Sequence, residues 1–384
     1  MDIGRSDSRF VDPNEKRAAS AVVLTVFAGR ERFLTLLAPF ALHALEREVI
    51  DQLHLWWFCR SGLRSPDDGS MNDPAFVTAL ATAKGARLFD GGGPGNWGTY
   101  YAFYAQWLRA DDVLIKCDDD VVHLSGLEHL VSLARRGSSF MYLPHVINND
   151  VSARVQLELG VDAFRDAMRA STSSASSPRG GGGGGRSGSS CSAWHQLQNC
   201  TASAEPCSLW SVQPGCADAA HRAARSAGVA ALRRKELYVW DEPRRVSINM
   251  YAMRGEHARR AFAQLALRCY AECDDEPFLT FHFLAQTWAR ARTRWPREEA
   301  PPPTALGRRH SANSSTSANY AMCLNTVAVH YSFGPQQNAK GGVNPAHLAF
   351  YAREAAKVFR RLSPESRNVL TTRYHAVREV LGGQ

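Results

Sequence analysis

Apolar residues fall into short, dense runs separated by segments of helical periodicity. AVVLTVF at 21–27 and LHLWWFC at 53–59 are brief, β-branched or aromatic runs that read as strands buried on both faces, and 86–89 gives a weaker third. Between the first two, Phe33, Leu36, Leu37, Phe40 and Leu45 recur at helical spacing, with Pro39 either kinking that helix or lying near its first turn. GSMNDPAFVTALATAKG reads as a loop and then a helix. Strand–helix alternation of this kind predicts a mainly parallel α/β sheet.

The pattern continues with the glycine-rich loop GGGPGNWG (91–98), an aromatic helix YYAFYAQWLRADD and the strand VLIKC. SFMYL (139–143) reads as a strand leading into PHVINND. The stretch STSSASSPRGGGGGGRSGSS has no means of burying a core and is expected to be flexible. With the cysteine-bearing 191–216 and a basic helix around 218–235, it predicts an insertion extruded from the domain over roughly 165–235. Regular pattern resumes at RRVSINMYAMRG (244–255), followed by the helix HARRAFAQLALRCYA, then CDDEP and a second helix, FLTFHFLAQTWARA. A Pro-rich loop covers about 296–318, and TVAVHYSF (326–333) reads as the last strand. Asn344-Pro345 is a helix start, and Leu348, Tyr351, Ala355, Val358 and Leu362 share one face of that helix. The division expected is a disordered segment 1–20 and a single domain 21–384 carrying the insertion.

Composition adds little to the fold and something to the chemistry. At 45% hydrophobic and 21% charged the 384 residues are ordinary globular material, while a formal net charge of +8 favours anionic partners. The arginines are scattered rather than gathered on one run, which argues against nucleic acid. Nine cysteines leave at least one outside any intramolecular pair. Cys59 and Cys117, inside strands, read as buried thiols. The spacing of Cys191, Cys200, Cys207 and Cys216 fits no zinc pattern and suggests two local disulfides. Asn199-Cys200-Thr201 and Asn313-Ser314-Ser315 are glycosylation sequons. No apolar run reaches 18 residues, and the first twenty lack the apolar core of a secretory signal, so the compartment, secretory lumen or cytoplasm, stays open.

Candidate chemistry begins in VLIKCDDDVVHL. Asp118, Asp119 and Asp120 follow a core strand at the end where open α/β sheets place their ligands. Three adjacent carboxylates between apolar segments call for a cation; the bland alternative is a solvated acidic turn. Hard divalent cations take one or two carboxylates plus substrate phosphates, and an Asp-x-Asp places two carboxylates on the same side of an extended chain.

The segment VLIKCDDDVV resembles the Asp-x-Asp motif of GT-A glycosyltransferases, which transfer sugars from nucleotide-sugar donors. Three later segments come in the order that likeness requires. RRVSINMYAMRG resembles the strand and glycine turn on the acceptor side, CDDEP the acidic motif with the catalytic base, and VAVHYSF the strand whose His completes the metal set. KCDDDVV, HVINND and RVSINMYAMRG together resemble glycosyltransferase-like proteins of microbial eukaryotes and large viruses.

The resemblance implies a GT-A-like (Rossmann-like) α/β fold with a mixed, mainly parallel sheet, and metal-dependent transfer from a nucleoside-diphosphate sugar to a hydroxyl of a glycan, protein or lipid. It implies Mn²⁺ or Mg²⁺ on Asp120 and Asp118 with His330, the imidazole favouring Mn²⁺. Asp118, Asp119, Lys116 and Arg30 then belong to the nucleotide side, Asp118 as partner to the ligand Asp120 and Asp119 through local geometry. Asp275 is the first choice of general base, ahead of Asp274 and Glu276, and a capped helix start is the competing reading of all three. Trp97 and Tyr100 are candidates beside the donor; His145, Asn148 and Asn149 are candidates beside the acceptor or a polar loop. The alternative to an enzyme is an inactive glycosyltransferase-like module that binds nucleotide sugar or glycan.

Overall fold

The structure, a computed structural model, describes residues 20–58, 74–91, 97–136, 139–149, 152–153, 155–156, 166, 214–235, 237–240, 248–268, 275–283, 308–310, 320–331, 336 and 343–371. Ten strands form one open sheet: β1 (Val22–Phe27), β2 (Gln52–Trp57), β3 (Ala86–Asp90), β4 (Val113–Cys117), β5 (Val121–Ser125), β6 (Met141–Ile147), β7 (Leu237–Trp240), β8 (Met250–Arg254), β9 (Arg308–His310) and β10 (Tyr320–His330). Their order is β3-β2-β1-β4-β8-β6-β10-β7-β9, with β5 paired to β10 off that path. Strands β1–β4, β6, β9 and β10 run one way and β5, β7 and β8 the other, so the sheet is mixed and mostly parallel.

Helices cover both faces, as near-continuous apolar strands require. Alternate residues of β1 and β4 point to opposite sides: Val22, Leu24, Val26, Val113, Ile115 and Cys117 enter one core, and Val23 and Leu114 the other. The first core is closed by α1 (Glu31–Glu46), α2 (Pro74–Leu80), α4 (Leu127–Arg136), α5 (Pro214–Ala227) and α7 (Pro345–Phe359). The second is closed by α3 (Trp97–Trp107) and α6 (Gly255–Arg268), with Phe278, Leu279 and Phe283 from the segment after Asp275. Pro39 sits buried inside α1. Asn344 caps α7 as its sequence predicts, its side chain accepting from the Ala346 N–H at 3.0 Å.

One boundary needs correction. The expected insertion does not extend to 235, because α5 is part of the core. Cys216, Ala217, Ala220, Ala223 and Ala224 are buried in it. His221 Nε2 donates to the Tyr331 carbonyl at 2.7 Å, and its Nδ1 therefore accepts from the Tyr351 hydroxyl at 3.0 Å. Small alanines lack the bulky periodicity that marks a core face, which is why the sequence reads as a surface helix. Cys117 is buried and free, as expected, and Cys216 is disulfide-bonded; Cys59, Cys191, Cys200 and Cys207 lie outside the described residues. Strands β5, β7 and β9 and helix α4 are additions to the expected elements.

Candidate functional site

The chain runs from β1 outward through β2 to β3, then returns to β4 on the other side of β1. That reversal makes the C-terminal ends of β1 and β4 the switch point, the place where open α/β sheets have their ligand crevice. Gly29 and Arg30 leave β1 there, and Asp118, Asp119 and Asp120 leave β4.

The three carboxylates face different partners. Asp118 Oδ1 accepts from Lys116 Nζ at 2.5 Å, and Asn249 Nδ2 lies 3.5 Å from its Oδ2. Asp119 has both oxygens engaged within the protein: Oδ2 accepts from the Gly29 N–H at 2.8 Å, and Oδ1 accepts from Arg30 Nε at 2.8 Å and Nη2 at 2.5 Å. Asp120 Oδ2 meets Arg30 Nη1 at 2.9 Å and His330 Nε2 at 3.0 Å. Its Oδ1 is buried and has no hydrogen bond. Side-chain exposure is 23% for Asp118 against 3% and 5% for Asp119 and Asp120, so Asp118 is the most open of the three.

These partners set the charge states. Burial opposes ionisation of Asp120, but Arg30 and His330 outweigh it and hold the carboxyl well below the usual carboxylate range. For Asp118 burial wins: it and the charge of Asp120 push the carboxyl up against the pull of Lys116. Lys116 and Arg30 are raised despite their own burial, Lys116 by Asp118 and Asp275, Arg30 by Asp119 and Asp120. Three carboxylates against two cations leave one formal negative charge beside the His330 imidazole.

His330 reaches Asp120 through the sheet. β5 begins directly after the triplet and pairs antiparallel with β10, placing His330 opposite Val121 at a register shift, and the Tyr331 N–H donates to the Asp120 carbonyl at 2.9 Å. Two residues 210 positions apart thus become neighbours. Among the described residues no three His, Cys, Asp or Glu converge as a ready-made cation cage. Asp120 and His330, 3.0 Å apart and with the buried Asp120 Oδ1 lacking a donor, are the residues that would hold a divalent cation here, a carboxylate beside an imidazole being a donor set that suits Mn²⁺ better than Mg²⁺.

Asp275 opens a helical turn, Asp275–Pro277, that passes into a π-helical turn, Phe278–His282. It is half-buried, and the Tyr101 hydroxyl of α3 donates to its Oδ2. The charges of both Asp118 and Asp275 act on Lys116 and on Tyr251, which stand opposite each other in the β4–β8 ladder. Glu276 is half-buried in the same turn as Asp275, and Asp274 lies outside the described residues.

Other candidates have different places. Tyr100 is fully buried in the second core, and Trp97 packs on Phe27 and Phe58 with ring centroids 4.9 and 4.4 Å away. His145 is buried against Gln156 with its imidazole pushed down to about 4 by burial, so it does not face an acceptor. Asn148, buried at a φ of 62°, donates to the Tyr331 carbonyl at 3.1 Å, and Asn149 donates to Asn249 Oδ1 at 3.3 Å. Both belong to the frame behind the carboxylates rather than to a polar loop. Tyr101 and Asn249 are the site residues that sequence reasoning missed; an aromatic-rich helix carries no signal that one hydroxyl meets a carboxylate. No family model, curated protein or solved structure matches this chain.

Proposed function

We propose that the protein is a metal-dependent glycosyltransferase that moves a sugar from a nucleoside-diphosphate donor to an acceptor hydroxyl. The observation that carries this reading is the meeting of Asp120 and His330 at the C-terminal end of β4, with Asp275 near enough for its charge to act on Lys116, the partner of Asp118. A GT-A-like arrangement is the finer version of the fold, supported by the mixed, mostly parallel open sheet.

In this reading Asp120 and His330 hold Mn²⁺ or Mg²⁺, with Asp118 facing the nucleotide side. When bound, the cation neutralises charge developing on the departing diphosphate. Lys116 and Arg30 supply positive charge toward the same phosphates. Asp275, its Oδ2 fixed by Tyr101, takes the proton from the acceptor hydroxyl as that oxygen attacks the anomeric carbon in line with the leaving phosphate, which inverts the sugar. The hydroxyl of the buried Tyr101 holds the base in one orientation.

A panel of nucleotide sugars, assayed for Mn²⁺-dependent binding and hydrolysis, tests the proposal. Wild type is expected to turn over at least one donor and Asp120→Ala to lose that activity. Asp275→Asn is expected to retain donor binding and lose transfer. Equal turnover by Asp120→Ala and wild type refutes the reading.

A further inference from the structure

The six carboxylate oxygens of Asp118, Asp119 and Asp120 have five protein-matched members and one exception, Asp120 Oδ1. Most of the matching on Asp119 and Asp120 comes from one side chain. Arg30 holds Asp119 through Nε and Nη2 and Asp120 through Nη1, bridging two consecutive carboxylates with one planar guanidinium. Its Nη1 contacts the same oxygen, Asp120 Oδ2, that faces His330 Nε2. A dication seated on that oxygen stands within a few ångströms of the guanidinium, and two cations so placed repel strongly.

We infer that Arg30 is the resident counter-cation of the site, exchanged for the divalent ion at Asp120 and thereby released toward the donor's diphosphate. The inference deepens the function proposed above and rests on its assignment of Asp120 and His330 as the cation site. The local architecture suits an exchange of one contact rather than ejection of the side chain. Asp119, fixed by the Gly29 N–H, keeps Nε and Nη2, while Nη1 leaves Asp120. At 20% exposure, the Arg30 side chain already reaches the crevice, and the freed edge of the guanidinium matches a phosphate's paired oxygens. Ion and diphosphate then bind with positive coupling, because the first ligand prepares the donor group used by the second.

Titration of the full chain with Mn²⁺, read by electron paramagnetic resonance of the free ion and by thermal melting, tests this without any sugar donor. Arg30→Gln removes the competing charge and is expected to bind Mn²⁺ at least about tenfold more tightly than wild type. Without metal it melts lower, because buried carboxylates lose their partner, and Mn²⁺ restores the loss. Arg30→Lys keeps a charge that cannot span both carboxylates, so its gain in Mn²⁺ affinity is smaller, and it supplies the comparison should Arg30→Gln not fold. With Mn²⁺ present, inorganic pyrophosphate binds wild type more tightly than either variant. If wild type takes up Mn²⁺ and the variants bind it no more tightly, the exchange is wrong and the cation site stands. If none of the three proteins takes up Mn²⁺, both fall.

Discussion

At the scale of single residues, Asp118 and Asp119 are neighbours with opposite consequences. Asp119 is almost wholly enclosed and anchors both Arg30 and the Gly29 N–H, so Asp119→Asn breaks a buried ion pair and is expected to cost about 3–5 kcal/mol in urea denaturation. Asp118 has its carboxyl pushed up by burial and by Asp120, which means that holding it ionised opposes folding. Asp118→Asn lifts that penalty but leaves the buried Lys116 without its nearest counter-charge, so it is expected to destabilise by less than Asp119→Asn, about 1–2 kcal/mol. Equal losses for the two variants would contradict the assigned geometry. Tyr101→Phe preserves the buried ring and removes the hydroxyl that fixes Asp275. Under the proposed function, transfer by this variant is expected to fall about tenfold with donor KM unchanged, the size of one lost hydrogen bond to a charged group.

Elements are placed by contacts whose tolerance is set by the backbone. Gly255 joins β8 to α6, and its N–H donates to the Asp112 carbonyl at 2.7 Å. A Cβ there would sit 1.8 Å from the Arg109 carbonyl oxygen, so the start of α6 can lie against the end of α3 only if residue 255 has no side chain. Gly255→Ala is expected to destabilise the protein by about 2 kcal/mol or more, measured as a lower urea midpoint at unchanged m-value. α5 makes the converse point. Its alanines allow close approach, and His221 ties it to β10 and α7 next to the residue that follows His330.

For the whole molecule, buried imidazoles govern the response to acid. Burial lowers His123 and His221 to about 3 and His145 to about 4, with the charge of His347 adding to the effect at His221. All three are neutral in the fold, whereas the unfolded chain takes up protons below about pH 6.5. Their contribution is complete above that pH and is lost as pH falls toward 4. Three such groups give a limiting slope of about 4 kcal/mol per pH unit, enough to exhaust a typical stability of about 5–15 kcal/mol within a few units. Melting temperature should thus decline steeply between pH 6 and 4; a flat profile over that range would refute buried neutral histidines.

The α/β alternation, the principal strands β1, β2, β4, β6 and β10, the capped helix α7 and the acidic triplet at a strand end could all be read along the chain. Each comes from local rules: periodicity, capping and the side on which a parallel strand offers its ligands. Asp120 was a candidate through its acidic neighbours at a strand end, and His330 only through the order of motifs in the resemblance, since no local rule links the two. Long-range packing supplied the rest. It alone placed His330 beside Asp120, because register between β5 and β10 is a long-range property. It assigned the triplet's three carboxylates to different partners, buried His145, and brought Tyr101 to Asp275 across 174 residues. It also returned α5 to the core, since alanine at close quarters packs as well as leucine does at a distance yet leaves a far fainter mark in a sequence.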